Sequence, residues 1–138
     1  SMSLLMAVHN SSPRISGIMM SERISSGQNC FTIASASIKE NIDFFVESFH
    51  LDKWMKVDDI IYDNGTYQNK IAMFKDATLK LNVNIKDCLI IEDSKSGIEN
   101  AYQAGCRQII VVNSANNKKE YEKMPGVIKV IDDFKELL

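Results

Sequence analysis

Apolar residues follow two rhythms along this chain. Short unbroken runs alternate with longer stretches in which apolar positions return every third or fourth residue. Strands covered on both faces give the first pattern and amphipathic helices the second, so the alternation predicts βαβ units around a parallel sheet. The predicted strands are residues 4–8, 31–34, 57–62, 88–91, 108–112 and 127–131. Ser12 and Pro13 open a first helix with Ile15, Ile18 and Met19 on its apolar face and Gly27 at its close. Ser37 and Glu40 fit a capping box ahead of the stripe Ile42, Phe45 and Phe49. A third helix starts near Asn69 and carries Ile71, Phe74, Thr78 and Leu81. A fourth, from about Ser96, shows Ile98, Ala101 and Tyr102 before Gly105 in the C′ position. Residues 132–138 read as a short last helix, and residues 113–126 as a loop with a helical turn or two.

Composition limits the architecture. With 138 residues, 45% hydrophobic and 25% charged, residues 1–138 suffice for one domain with its own core. A net charge of −2, with no more than two Lys or Arg in a row, gives no electrostatic reason to expect a nucleic-acid or acidic-membrane partner. A phosphorylated small molecule stays compatible, because a single well-placed lysine serves it. Cys30, Cys88 and Cys106 are odd in number, far apart, and set in or beside apolar runs; buried reduced thiols and a cytoplasmic location follow. No apolar run approaches the ~18 residues of a membrane span, and the opening run lacks the basic flank of a signal peptide.

In open parallel sheets ligands collect at the carboxyl ends of strands, where amide-rich helix N-termini favour anions. Three polar clusters fall there. The first is Glu92-Asp93-Ser94-Lys95-Ser96-Gly97, behind the run that starts at Cys88. Two adjacent carboxylates repel unless something positive shares their site, and a hard divalent ion is the usual solution; a helix cap at Asp93 or Ser94 is the alternative. Gly97 permits close backbone approach. In the second cluster, Ser35-Ala36-Ser37, a hydroxyl and backbone amides are offered to a phosphate, with Ser37 as the cap and Ser35 without a structural task. The third is Lys70, read either as charge stabilisation for phosphoryl transfer or as a solvated lysine in a first helical turn.

The stretch Glu92-Asp93-Ser94-x-x-Gly97-Ile98, followed by Ala101-x-x-Ala104-Gly105-Cys106, resembles the fourth signature motif of the haloacid dehalogenase-like (HAD) superfamily, closest to its β-phosphoglucomutase-like branch. Residues 33–51 resemble the second motif, and Pro13-Arg14-Ile15 the Pro-Gly-Ile that commonly precedes it. The resemblance implies a Rossmann-like, doubly wound parallel sheet, here without the helical cap domain. It further implies Mg²⁺ on Asp93 and Glu92, phosphoryl binding at Ser35 and Ala36, and a catalytic lysine for which Lys70 is the candidate. The implied activity is that of a phosphohydrolase or phosphomutase acting on a small phosphorylated metabolite.

One part is missing. The family's aspartate nucleophile ends its first, central strand in an hhhhDxDGT motif, and a second aspartate serves as acid and base. Asp63-Asn64-Gly65-Thr66 follows the second motif instead of preceding it and reads as a turn. The early run at residues 4–8 is the candidate central strand, with Val8 or His9 at the nucleophile's place, and neither is a carboxylate. The N-terminal part is therefore truncated or degenerate, and a catalytically inactive phosphate- or metal-binding module is the competing expectation. Oligomeric state stays open, with Trp54, Met55 and Met19-Met20 as candidate contacts.

Overall fold

The computed structural model describes residues 2–7 and 31–137. Its core is a five-stranded sheet of β1 (Met2–Ala7), β2 (Phe31–Ser35), β3 (Cys88–Glu92), β4 (Ile109–Val112) and β5 (Val127–Ile131), in the order β2-β1-β3-β4-β5. The helices are α1 (Lys39–Phe49), α2 (Lys70–Leu81), α3 (Lys95–Ala104) and the short α4 (Lys118–Tyr121). β3, β4 and β5 are parallel, as the unbroken apolar runs predict for strands buried on both faces. The result is an α/β, Rossmann-like core, and no helical cap domain is present among the described residues.

Two layers cover the sheet. Phe74, Ala77, Ile98 and Ala101 of α2 and α3 pack on Ala34, Ile90, Ile109 and Val111. On the other face Ile42 of α1 and Met55 pack on Phe31, Ile33, Leu89, Ile91 and Ile110. Side chains alternate along a strand, so odd and even positions of β3 divide between these two cores. Two helix ends follow sequence logic. Asn69 caps α2 by accepting from the Ile71 amide at 2.9 Å, and Gly105 ends α3 with φ +115, a conformation that costs a Cβ-bearing residue dearly.

Five local expectations are corrected. The segment 57–62 forms a 3₁₀ turn, Val57–Asp59, and an isolated parallel bridge from Ile61 to Ala34. The Thr32 hydroxyl donates to the Asp59 carbonyl at 2.8 Å and holds that turn closed, so only Ile61 reaches the sheet edge. The capping box is not formed: Ile38 occupies the cap of α1 without a side-chain bond, and the Ser37 amide donates to Ser35 Oγ instead. Phe49 is exposed, outside the stripe assigned to it. Residues 134–137 form a 3₁₀ turn in place of a last α-helix.

The fifth correction matters most to the site. β1 lies centrally, as expected, but runs antiparallel to both neighbours: Met2 is opposite Ser35, and Ala7 is opposite Cys88. The Met2–Ser3 end, not the Ala7 end, therefore abuts the carboxyl ends of β2 and β3. Val8 and His9, the 12–27 helix with Met19-Met20, and Cys30 lie outside the described residues.

Candidate functional site

At the carboxyl end of β3, Glu92 turns toward the α2–α3 layer. It is buried to 1% exposure beside Ser3 and Lys70, also buried. The Ser3 hydroxyl donates to Glu92 Oε1, and Lys70 Nζ lies 3.2 Å from the same oxygen and 2.7 Å from Ser3 Oγ. Ser94 donates to Glu92 Oε2 at 3.3 Å while its own oxygen caps α3 by accepting from the Gly97 amide at 3.1 Å. Burial pushes the Glu92 carboxyl above its ordinary range, Lys70 and Ser3 pull it back, and the net direction is upward.

Gly97 closes this arrangement from above. A Cβ there would overlap the Glu92 carboxylate and approach Ser94 Oγ at 2.9 Å. The glycine is required by this close approach of a helix to a buried acid.

Asp93 departs from the other side of the strand, as alternation dictates. Its Oδ1 is buried without a hydrogen-bond partner. It lines a cleft of about 690 Å³ together with Phe31, Met55 and Trp54. Glu92 borders the same cleft, but its carboxylate is turned to Ser3 and Lys70. Glu92 does not fit the expected cation seat, because both of its oxygens already accept hydrogen bonds and one of them faces an ammonium. Among the described residues no group of three His, Cys, Asp or Glu side chains gathers as a metal site. Of the two acids, Glu92 is thus engaged by protein groups, and Asp93 is the one with an oxygen left without a partner.

Ser35 is fully buried, and its Oγ accepts from the Ser37 amide at 3.1 Å. Along β2 it shares the face of Ile33, opposite to Ala34, so it stands with the Asp93 side and not with Glu92. β1 separates it from β3 by two inter-strand spacings, roughly 10 Å. Ala36 does reach the polar side. It borders a cleft of about 580 Å³ with Lys70, Gln68, Asn69, Ser94, Ser96 and Asn100. The first turns of α2 and α3 both open into that cleft, and Lys70 is buried at its edge rather than solvated.

Sequence reasoning missed Ser3, which looks like any small residue at the edge of an apolar run. Its one signal is that it is the polar position in the run 2–7. Asn100 was also missed; it lies four residues after Ser96, and that spacing puts both on one helix face.

Fold and cleft together define a Rossmann-like α/β core with an anion-compatible edge. The chain is similar to a haloacid dehalogenase-like hydrolase domain-containing protein of Arabidopsis thaliana, 22% identical over 126 residues, which are 89% of this chain and 40% of that protein. It is similar in structure to a HAD hydrolase of family IA, variant 3, from Entamoeba histolytica, with a TM-score of 0.75 and 31% identity over 87% of this chain and 54% of that one. No family model matches the chain. The two likenesses support the HAD-like hydrolase superfamily. The chain spans only 40% and 54% of these relatives' lengths. Among the described residues no helix is long and apolar enough to cross a membrane.

Proposed function

We propose that this chain recognises the phosphoryl group of a small phosphorylated metabolite, as the core of a phosphatase-type HAD-like protein of the β-phosphoglucomutase-like kind. The observation that carries the reading is the meeting of two helix N-termini with Lys70 at one polar cleft. Free amides in a first helical turn carry partial positive charge, and an ammonium beside them strengthens an anion's seat. Glu92 holds that ammonium in place through their 3.2 Å pair, and Ser94 and Ser96 add hydroxyls at the rim.

A second reading, binding without turnover, has its own support. The central-strand residue that reaches the carboxyl ends of β2 and β3 is Ser3, hydrogen-bonded to Glu92, where the superfamily's chemistry calls for a carboxylate. No bond-making group is assigned, and the residues present bind and orient only.

The test is calorimetric titration with inorganic phosphate and with an aryl phosphate, each with and without Mg²⁺, alongside an assay for phosphate release. Phosphate should bind, and Ser96→Ala with Asn100→Ala should weaken it severalfold without unfolding the exposed rim. Lys70→Met should weaken it further. Release of phosphate favours the phosphatase reading, and binding without release favours the second. Absence of binding under all conditions rejects both.

A further inference from the structure

The polar cleft of about 580 Å³ contains more than an anion's seat. Among the described residues two charged side chains line it, Lys70 and Asp63. The Lys70 ammonium is already paired at 3.2 Å with the buried Glu92, which does not line the cleft. Asp63 is half-buried and opens the turn Asp63-Asn64-Gly65-Thr66. Its Oδ1 accepts from the Gly65 amide at 2.9 Å, and no described residue donates to its Oδ2. The Asp63 amide donates to the Ser37 carbonyl at 2.9 Å, which fixes the turn beside Ala36 on the cleft's rim. Tyr67 lines the same cleft, its ring held by the hydroxyl that donates to Asp76 at 2.6 Å. Charge then narrows the ligand. Lys70 and Glu92 cancel, so Asp63 leaves one negative charge at the cleft, and a phosphate monoester adds about −1.5 to −2 at neutral pH. A monoester with a neutral body enters against that repulsion; one that carries its own cation removes the repulsion and gains an ion pair.

We propose that the metabolite recognised in this cleft is a phosphorylated amine, its phosphoryl group at the first turns of α2 and α3 beside Lys70 and its ammonium against Asp63 and the Tyr67 ring. The inference rests on the phosphoryl reading and narrows it to one substrate class. An ammonium gains a carboxylate and an aromatic face together. A divalent ion is the other source of positive charge, but it takes several oxygen ligands and gains nothing from a phenol ring, and Asp63 is the one unpaired carboxylate among the described residues lining the cleft.

Phosphoethanolamine, ethyl phosphate and phosphoglycolate have bodies of similar length and differ in charge. Calorimetric titration without Mg²⁺ should rank them in that order, with phosphoethanolamine about tenfold tighter than ethyl phosphate, or ~1.4 kcal/mol. Asp63→Asn keeps an acceptor for the Gly65 amide, so the turn stays closed, and it should bring phosphoethanolamine and ethyl phosphate to one affinity. Tyr67→Leu should reduce the preference severalfold. Equal affinity of those two probes for the wild type, or a preference that survives Asp63→Asn, overturns this proposal and leaves phosphoryl recognition standing; silence from all three probes rejects both. Mg²⁺ that tightens ethyl phosphate in the wild type and not in Asp63→Asn also overturns it, since the balancing cation is then a metal at Asp63.

Discussion

Gly97→Ala probes the buried acid most sharply. In most helices this change stabilises, because alanine exceeds glycine by about 1 kcal/mol in helix propensity. Here the added methyl meets the Glu92 carboxylate, and Glu92, at 1% exposure, has no open direction in which to retreat. Overpacking costs about 1–3 kcal/mol when neighbours can shift, and separating a buried ion pair costs about 3–5 kcal/mol when they cannot. Set against the propensity gain, the net is a destabilisation of about 2 kcal/mol, with ~4 as the upper end. For a chain of this length that lowers Tm by roughly 6–8 °C. Urea unfolding of four proteins reads it: wild type, Gly97→Ala, Glu92→Ala and the double variant. With the carboxylate gone, Gly97→Ala should be neutral or stabilising, so the coupling between the two positions should reach about 2–3 kcal/mol. Equal effects of Gly97→Ala in both backgrounds, or a Gly97→Ala protein as stable as wild type, refute the packing of Glu92 under α3.

Two further outcomes follow from shifted protons. The Tyr67 hydroxyl donates to Asp76 at 2.6 Å, and that bond pushes its phenol from 10.0 up to about 12. Because the folded pKa lies above the unfolded one, the bond's stabilisation is whole below pH 10 and declines as pH rises toward 12; NMR titration should show Tyr67 among the last tyrosines to ionise, and Asp76→Asn should return it toward 10. Burial pushes the Cys88 thiol to about 12 and also raises Cys106, so iodoacetamide at neutral pH should modify neither until urea unfolds the chain. Peptide mapping that finds either one alkylated in the native protein contradicts their burial.

Much of the fold was legible because it depends on periodicity. The unbroken runs at residues 88–91 and 108–112 have to be covered on both faces, and α2 and α3 cover one of them with Phe74, Ala77, Ile98 and Ala101. Gly97 and Gly105 were legible for the same local reason, since each marks a place where a Cβ does not fit. The site was less so. Adjacent acids suggest a shared cation, but alternation along a strand sends Glu92 and Asp93 to opposite sides, and the position of Lys70 decides which one is neutralised. That choice is tertiary: Asn69 fixes the start of α2, and the packing of α2 on the sheet carries the Lys70 ammonium to Glu92.

The direction of β1 is the hardest feature to read, because an apolar run has the same period in both senses. Its polar end decides. Run antiparallel, Ser3 meets Glu92 and Lys70. Run parallel, β1 would carry its Ser3 end toward the amino end of β3, where Cys88 is fully buried. The hydroxyl would then lack these partners, at about 1–3 kcal/mol for an unsatisfied buried group. Glu92 would lose a donor as well. One serine beside one buried ion pair is thus enough to orient a strand that hydrophobicity leaves free to run either way. Ser3→Ala tests this directly. It should destabilise the fold by about 1–3 kcal/mol in urea unfolding, and a variant equal to wild type would mean that something other than this hydrogen bond sets the strand's sense.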